Sequence, residues 1–290
     1  MAVPKLYIVR KMITIENREG LDFLESVEDE TVDLVLTDPP YIISKDSGMD
    51  KWVQHVNRQD MPGSIDINSE EDWKNWLKEH TIEDKSEPEI SLMKKNYIKY
   101  GSVYGKKYAR VTDFGDWDKT FTLQKLELFI SHFYRTLKEG GTAIIFFDWK
   151  KVSYLIGMLE KEGFKQIRKI DWNKTNPQPL NSNRNYLTNA QEIAITAVKG
   201  AKPTFNSNYD RGVYEFPIQN GKNRVHPSQK SLSLFKELVS KHSNPGDIVL
   251  DPFLGAGTTA RAAQSTGRNF VGCEVVKEYF NKSLDWISKE

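Results

Sequence analysis

The residues best suited to chemistry follow a short apolar run that predicts a strand, Thr31–Leu36. They are Asp38-Pro39-Pro40-Tyr41. Two successive prolines fix the backbone and remove two N–H donors, so the strand end offers mainly acceptors, the Asp38 carboxylate and the Pro39 carbonyl. Two acceptors beside an aromatic ring suit an exocyclic amino group on a planar base, against which Tyr41 would stack. The alternative interpretation is a rigid exit from the strand with a surface tyrosine.

A glycine-containing turn follows a second predicted strand, Asp247–Leu250. Glycine permits positive φ and lets a ligand approach the backbone closely, and open α/β sheets bind ligands at the carboxyl ends of their strands. Glu274 lies near the end of the next predicted strand, Asn269–Val275, where an acid can accept hydrogen bonds from ribose hydroxyls. The spacing fits neither a dinucleotide fingerprint nor a P-loop, and a plain tight turn is the alternative for the glycines alone. The turn contributes the candidate cofactor residues Asp251, Phe253, Gly255, Gly257, Thr258 and Thr259.

Together these two segments resemble the amino-methyltransferases of DNA, which transfer the methyl group of S-adenosylmethionine to adenine N6 or cytosine N4. Asp38–Tyr41 is similar to the catalytic motif of that family, and Phe253-x-Gly255-x-Gly257 to its cofactor loop. The catalytic motif comes first, an order that resembles the β class, a circular permutation of the methyltransferase sheet. An aspartate opening the catalytic motif goes more often with adenine in this class, so the resemblance favours N6-adenine over N4-cytosine.

Three further segments resemble family motifs. His226–Lys230 is similar to the segment before the helix that cups the methionine moiety, which implies cofactor contacts from Ser228 and Lys230. Phe114–Asp118 is similar to a motif that precedes the helix after the catalytic strand. Glu19 stands where the family often has an aspartate that contacts the cofactor adenine. Trp172–Pro179 is similar to a loop beside the target-base pocket, which implies pocket residues Trp172, Lys174, Asn176 and Pro177.

Short apolar runs alternate with amphipathic stretches, which predicts an α/β fold with a mostly parallel sheet and helices on both faces. The resemblance implies a circularly permuted, Rossmann-like class I sheet of seven strands in one domain spanning 1–290. Gly140-Gly141 is interpreted as a stop after the first long helix. The predicted strands also include Thr142–Asp148, Phe164–Trp172 and Glu192–Val198, and the predicted helices are Thr120–Leu137, Lys151–Lys161, Gln229–His242, Gly257–Ser265 and one from Lys277 onward.

The region 43–118 lacks this alternation and is interpreted as an insertion that binds DNA. Asp66–Ile90 carries 9 acids and 3 bases, whereas Ser91–Arg110 carries 6 bases, no acid and 4 tyrosines. Basic residues neutralise phosphates and tyrosines can stack on bases, although a solvated helix with inward tyrosines is the alternative. A polar stretch, 200–230, lies where the class that the sequence resembles often has its target-recognition segment, which implies a target-recognition loop there. The candidate DNA-binding residues are Lys94, Lys95, Lys99, Lys106, Lys107, Arg110, Arg211 and Arg224.

Composition limits the other classes of protein. The 290 residues include 41 Lys and Arg against 40 Asp and Glu, a net charge of +1 that excludes a uniformly basic coat protein but not a nucleic-acid enzyme. The one cysteine, Cys273, excludes an internal disulfide and a multi-cysteine zinc site, and no metal is predicted. Neither a membrane-spanning run nor a signal peptide is recognisable, so we expect a cytoplasmic protein. The resemblance implies a bacterial, archaeal or phage origin.

The predicted partner is double-stranded DNA, with no membrane. A homodimer and a cognate restriction endonuclease are compatible with the resemblance. Methylation of RNA or of protein glutamine amides is an alternative reaction, which the C-terminal cofactor loop and the large insertion disfavour. A non-catalytic DNA-binding protein with a vestigial methyltransferase fold is the alternative of another class, against which both motifs are intact.

Overall fold

The computed structural model describes residues 12–40, 68–80, 82, 85–100, 103, 121–177, 188–219 and 229–288. The chain divides into two compact units. The first joins Met1–Ile42 to Phe121–Glu290, and the second is Ile43–Thr120. Each is considered by itself below. No helix within the described ranges is long and apolar enough to cross a membrane.

The first unit is built on an eight-stranded sheet with the order β1-β8-β7-β2-β3-β5-β4-β6. Among these strands β5 runs antiparallel to its neighbours β3 and β4, and the remaining pairings are parallel. The predicted α/β class with a mostly parallel sheet is therefore confirmed. The strands are β1 (Ile13–Glu16), β2 (Val32–Thr37), β3 (Leu137–Phe147), β4 (Lys165–Lys174), β5 (Gln191–Val198), β6 (Val213–Phe216), β7 (Ile248–Asp251) and β8 (Asn269–Cys273).

The helices within the described residues of both units also have defined bounds. In chain order they are α1 (Gly20–Glu25), α2 (Glu70–Glu79), α3 (Glu87–Tyr100), α4 (Leu123–Thr136), α5 (Val152–Glu162), α6 (Leu232–His242), α7 (Thr258–Ser265) and α8 (Lys277–Ile287).

The described residues form eight strands, whereas the hydrophobic pattern predicted six and the resemblance implied seven. The two edge strands, β1 and β6, were not among the six. β1 and β6 are four residues each and are only partly buried, so neither has a long apolar run. β6 lies within 200–230, which was interpreted as a loop, and it pairs in parallel with β4 from Asp171↔Val213 to Lys174↔Phe216. These short edge strands are defined by hydrogen bonds to a neighbouring strand, and hydrophobic periodicity does not reveal them.

The Gly140-Gly141 pair lies inside β3 instead of ending a helix before it. Gly140 has φ +83°. Its N–H donates to the Lys199 carbonyl at 2.8 Å, and the Lys199 N–H donates to the Gly141 carbonyl at 2.9 Å. A Cβ at position 140 would lie 2.5 Å from the Lys202 carbonyl oxygen. The pair therefore lets the strand start earlier, at Leu137, through an irregularity that only glycine fits.

The sheet is buried on both faces because neighbouring residues of its central strands enter different hydrophobic clusters. In β3, Ile145 packs with Phe129 of α4, whereas Phe146 packs with Phe235 of α6. Burying a side chain of this size stabilises the fold by roughly 1.5–3 kcal/mol. This two-sided core holds the carboxyl ends of β2, β7 and β8 in fixed positions.

The second unit contains two helices whose aromatic side chains pack together. Trp73 and Trp76 of α2 stack with ring centroids 5.1 Å apart, and Tyr97 of α3 lies 5.7 and 5.8 Å from them. The His80 ring stacks on Trp76 at 4.1 Å. The Tyr97 side chain thus packs against neighbouring aromatic residues. This agrees, for Tyr97, with the alternative interpretation of Ser91–Arg110 as a solvated helix with inward tyrosines.

Candidate active site

The two Asp-Pro motifs come to the same edge of the sheet. β2 and β7 are parallel neighbours, with Leu34 opposite Val249 and Val35 opposite Leu250. Asp251 is the last residue of β7, and Asp38 directly follows β2. Pro39 and Pro40 are buried. Tyr41 lies outside the described residues, so its predicted stacking role stays a prediction.

Asp38 lies at one end of a row of four alternating charges. The Lys230 Nζ is 2.5 Å from Asp38 Oδ2 and 3.0 Å from Glu192 Oε2. The Lys174 Nζ is 2.8 Å from Glu192 Oε1. Their side chains are between 6 and 22% exposed. We call Asp38, Lys230, Glu192 and Lys174 the charge row.

The electrostatics of the charge row favour the ionised form of Glu192. Burial alone would raise the pKa of Glu192, but the ammonium groups of Lys230 and Lys174 outweigh it and hold that pKa below its usual range. Lys230 also lies 5.6 Å from the ring centroid of Phe146, and Lys174 lies 5.6 Å from that of Trp172.

The sequence prediction placed Lys230 at the cofactor, yet its ammonium is bound to Asp38 and Glu192. Glu192 was not predicted as a site residue. An acid near the start of the mostly apolar strand β5 was the signal for it, because a buried charge requires a partner. Ser228, the other residue predicted from this motif, lies outside the described residues.

Asp251 is held by hydroxyl groups instead of cations. It accepts hydrogen bonds from Thr37 Oγ1 at 2.7 Å, from Thr259 Oγ1 at 2.7 Å and from the Phe253 N–H at 3.0 Å. Its side chain is buried, and this burial raises its pKa to about 6, with a smaller contribution from the charge of Asp38. Asp251 therefore holds the start of the glycine turn against β2 and α7.

The two glycines of the turn have different neighbours. Gly255 has φ +52° and Gly257 has φ +84°. A Cβ on Gly257 would lie 2.8 Å from Ile287 Cδ1, whereas, among the residues that the structure describes, a Cβ on Gly255 would meet only the Phe253 carbonyl oxygen, at 3.9 Å. Gly257 is required for packing and is the N-cap of α7. Within the described part of the chain, Gly255 faces open space that a bound ligand could fill.

The threonines after Gly257 are buried, and neither is the N-cap of α7. Thr258 is the first residue of the helix. The Thr259 hydroxyl is directed to Asp251 and to the Leu36 carbonyl oxygen. These positions leave the predicted contact with the cofactor's methionine carboxylate as a prediction.

Glu274 faces the same turn from the end of β8. Its Oε2 accepts from the Gly255 N–H and its Oε1 from the Val276 N–H, both at 2.8 Å. Burial raises the pKa of Glu274, and these backbone donors oppose that effect. A carboxylate oxygen can accept more than one hydrogen bond, so Glu274 keeps capacity for a hydroxyl donor. Open space at Gly255 beside this acceptor fits the ribose of a nucleoside cofactor.

Phe253 and Glu19 have structural partners. The ring centroid of Phe253 is 4.5 Å from that of Phe129. Glu19 is the N-cap of α1 and pairs with Lys125 at 2.8 Å. Burial would raise the pKa of Glu19, but the hydrogen bond from Lys125 and those from the backbone lower it. Contact of Phe253 and Glu19 with a cofactor remains a prediction.

The predicted base-pocket residues lie on β4 and just after it. Trp172 is 1% exposed and belongs to the core. Its Nε1–H donates to the Phe216 carbonyl at 2.8 Å. Asn176 Oδ1 accepts from the Ile218 N–H at 2.7 Å, and Pro177 is partly buried. The Trp172 indole is thus part of the core, and its contact with a target base remains a prediction.

The candidate DNA-binding residues are only partly described. Lys94 pairs with Glu70 at 2.6 Å, and the Lys99 Nζ lies 5.3 Å from the Tyr100 ring centroid. Lys95 and Arg211 are exposed. Lys106, Lys107, Arg110 and Arg224 lie outside the described residues, as does Phe114–Asp118.

The family model of the N6 and N4 methyltransferases, described as DNA methylase, matches residues 32–285. Since this match spans most of the chain, the chain belongs to the DNA methylase family. The family resemblance predicted from the motifs is confirmed.

Two curated relatives are type II methyltransferases. M2.DpnII of Streptococcus pneumoniae is 34% identical over 187 residues, which cover 58% of this chain and 69% of that protein. M.HinfI of Haemophilus influenzae is 25% identical over 288 residues, which cover 92% of this chain and 66% of that protein, just under two thirds of its length.

Solved structures share the fold. The complex of M1.HpyAVI with SAM has a TM-score of 0.59 and 24% identity, covering 96% of this chain and 100% of that one. The cytosine-N4-specific PvuII DNA methyltransferase has a TM-score of 0.63 and 15% identity, covering 96% of this chain and 88% of that one. At these identities the likeness is one of fold.

Proposed function

We propose that the protein is a site-specific DNA methyltransferase that transfers the methyl group of S-adenosylmethionine to the N6 amino group of adenine. The observation that carries the proposal is the position of Asp38, which is paired with an ammonium group at the same sheet edge as the glycine turn. An ionised carboxylate only accepts hydrogen bonds, so it suits an amino group and disfavours a carbonyl oxygen.

Phe253, Gly255 and Glu274 are the residues that would hold S-adenosylmethionine. This cofactor supplies an activated methyl group when bound. The open space at Gly255 permits close approach to the backbone, and Glu274 would accept hydrogen bonds from the ribose hydroxyls.

The remaining chemistry belongs to the Asp38–Tyr41 motif. A base stacked in a duplex cannot reach a strand end, so the target is flipped out at a cost of a few kcal/mol. The Asp38 carboxylate and Pro39 carbonyl accept from its amino group, while Tyr41 stacks on the ring. With the cofactor bound, the amino nitrogen would form a bond to the methyl carbon as the carbon–sulfur bond breaks, with S-adenosylhomocysteine as the leaving group. The methylated nitrogen would then lose its proton to the Asp38 carboxylate or to water. Positioning and preorganised charge supply the acceleration.

The choice of adenine rests on the aspartate that opens the motif, and N4 of cytosine is the alternative target. The fold does not discriminate between them, because the similar PvuII enzyme is cytosine-N4-specific. The names of the relatives support a place in a restriction–modification system. Double-stranded DNA is then the partner, and a cognate endonuclease and a homodimer belong to the same proposal.

The test is methylation of genomic DNA with labelled S-adenosylmethionine, followed by nucleoside mass analysis and methylation-sensitive sequencing. We expect N6-methyladenine within one sequence motif. N4-methylcytosine would overturn the choice of base, and the absence of methylated nucleosides would overturn the function. The matched control is Asp38→Ala, which should abolish methylation while S-adenosylmethionine still binds; retained methylation would remove Asp38 from the mechanism.

We also propose that the basic part of the 43–118 insertion contacts DNA. Replacing Lys94, Lys95, Lys106 and Lys107 together by alanine should weaken DNA binding and lower its salt dependence, since each phosphate contact contributes about one unit to the salt slope. Filter-binding titrations at several salt concentrations measure both quantities. Unchanged affinity and slope would assign DNA binding to another segment, and Lys161→Met on α5 is a control for simple loss of charge.

A further inference from the structure

The charge row brings together side chains from four separate parts of the chain. Asp38 follows β2, Lys230 precedes α6, Glu192 lies on β5 and Lys174 ends β4. Each ammonium touches Glu192, one on each carboxylate oxygen, and Lys230 also touches Asp38. Glu192 is therefore the centre of the row.

We propose that Glu192 is a positioning residue for the methyl-transfer reaction, holding Lys230 so that its ammonium fixes and neutralises the Asp38 carboxylate. This inference rests on the proposed function, in which Asp38 accepts from the target amino group. It assigns Lys230 to the catalytic carboxylate instead of the cofactor.

A lysine alone would hold Asp38 poorly. Its ammonium is a point charge on a flexible four-carbon stem, whereas Lys230 here is only 6% exposed and has two anionic partners. Sharing the ammonium between two carboxylates fixes its position and prevents its charge from acting on Asp38 alone. Asp38 then keeps its acceptor strength for the substrate.

Lys174 completes the arrangement by fixing the orientation of Glu192. It occupies Oε1, which directs Oε2 to Lys230. The antiparallel ladder places Trp172 directly opposite Glu192, and the Lys174 N–H donates to the Ala190 carbonyl at 2.8 Å. The formal charges of the row, two negative and two positive, cancel, which lowers the cost of burying them.

The sheet edge adds another acid to the electrostatics of Asp38. Asp251 interacts with the charge of Asp38, which contributes to raising the pKa of Asp251. Removing the Lys230 charge would leave Asp38 facing both Glu192 and Asp251. Removing the Glu192 charge would leave Asp38 with an excess of positive charge from two lysines. The two changes should therefore act in opposite directions on the protonation of Asp38.

The experiment compares Glu192→Gln, Lys230→Met and the double variant as full-length proteins. It measures kcat, KM for DNA, the pH profile of kcat and the equilibrium affinity for S-adenosylmethionine. Lys230→Met should lower kcat about 100-fold and move the acid limb of the profile about one pH unit upward. Glu192→Gln should lower kcat about tenfold and move the limb downward. Cofactor affinity should change by less than about twofold in each.

The double variant carries the decisive comparison. Removing both charges leaves the opposite charges of Asp38 and Lys174, which cancel. The fraction of kcat that the double variant retains should therefore exceed the product of the fractions that the two single variants retain, and its acid limb should lie between theirs. Lys230→Arg keeps the charge and should bring the acid limb back toward that of the unmodified protein. The acid limb of Lys230→Arg can be measured even if Glu192→Gln does not fold. Lys161→Met, which removes an exposed lysine paired with Glu127, is the matched control and should leave kcat unchanged.

Three results would overturn the inference: multiplicative kcat losses, an acid limb that does not move, or a loss of S-adenosylmethionine affinity with kcat retained. The last would return Lys230 to the cofactor site. These outcomes differ from failure of the proposed function, in which the unmodified protein itself methylates no DNA.

Discussion

Two neighbouring strands of this sheet lead into the same dipeptide, Asp-Pro, but the two aspartate side chains have different partners and different exposure. Asp38 meets an ammonium group and is 20% exposed. Asp251 meets two hydroxyl groups and one backbone N–H, and is 3% exposed. A carboxylate paired with a cation at a partly open position can act on a substrate. One enclosed by neutral donors instead holds a turn in place.

The difference also appears in the protonation of Asp251. Burial raises its pKa to about 6 because hydroxyl and amide donors compensate only part of the lost hydration. Thr37 links the two sites, because it precedes Asp38 in the chain and donates to Asp251. Four predictions test whether the two aspartates are divided into a chemical and a structural role.

The largest expected effect is on catalysis. Asp38→Asn should lower kcat by a factor on the order of 10³, because the amide replaces one acceptor of the carboxylate with a donor and removes its charge. The free energy of unfolding should change much less. Single-turnover methylation and chemical denaturation measure the two quantities. Asp251→Asn is the matched control, and an equal kcat loss in both variants would contradict the division of roles.

The second prediction concerns the stability of Asp251→Asn as a function of pH. The pKa of Asp251 is higher in the folded protein than its ordinary value of 3.8. The folded state therefore binds the proton more tightly, and the contribution of Asp251 to stability falls as the pH rises from about 4 to about 6. Asparagine does not titrate. The free energy of unfolding of the variant, relative to that of the unmodified protein, should therefore rise by up to about 3 kcal/mol across this window. Urea unfolding at several pH values measures the difference, and a pH-independent difference would refute it.

The third prediction separates the glycines that Asp251 holds in place. Gly257→Ala should destabilise the fold by about 1–3 kcal/mol, because its φ is positive and its Cβ would collide with Ile287. Gly255→Ala should destabilise the fold less but weaken S-adenosylmethionine binding, because its Cβ points into open space. Thermal unfolding and equilibrium dialysis distinguish the two effects. The reverse order of destabilisation would show that Gly255 is the packing residue.

The smallest expected effect is that of Thr37→Val, which removes one donor to Asp251. The fold should lose about 1–2 kcal/mol, and the pKa of Asp251 should rise further because one of the hydrogen bonds that lower it is lost. The pH window of the second prediction should then extend upward. Denaturation at pH 5 and pH 7 measures this, with Thr31→Val, which removes a hydroxyl that donates to the Glu28 carbonyl, as the control. An unchanged window would mean that the Thr37 hydroxyl does not set the protonation of Asp251.

The long amphipathic helices and the buried central strands were predictable because periodicity reports burial directly. The predicted helix Thr120–Leu137 corresponds to α4, and Glu192–Val198 to β5. The edge strands β1 and β6 were not predicted, since four residues of mixed exposure carry no period. Glu192 was missed because it carries no motif of its own, and its importance depends on two lysines brought to it by other parts of the chain.

By itself the sequence determined the family, the α/β class and the two strand ends at which the chemistry lies, because motifs and hydrophobic periods are local properties of the chain. The tertiary structure alone decided which aspartate is paired with a cation and which is enclosed by hydroxyl groups. It also placed Lys230 on Asp38, 192 positions away along the chain. Charge pairing depends on distances of a few ångströms between residues far apart in sequence, and only the packed sheet sets those distances.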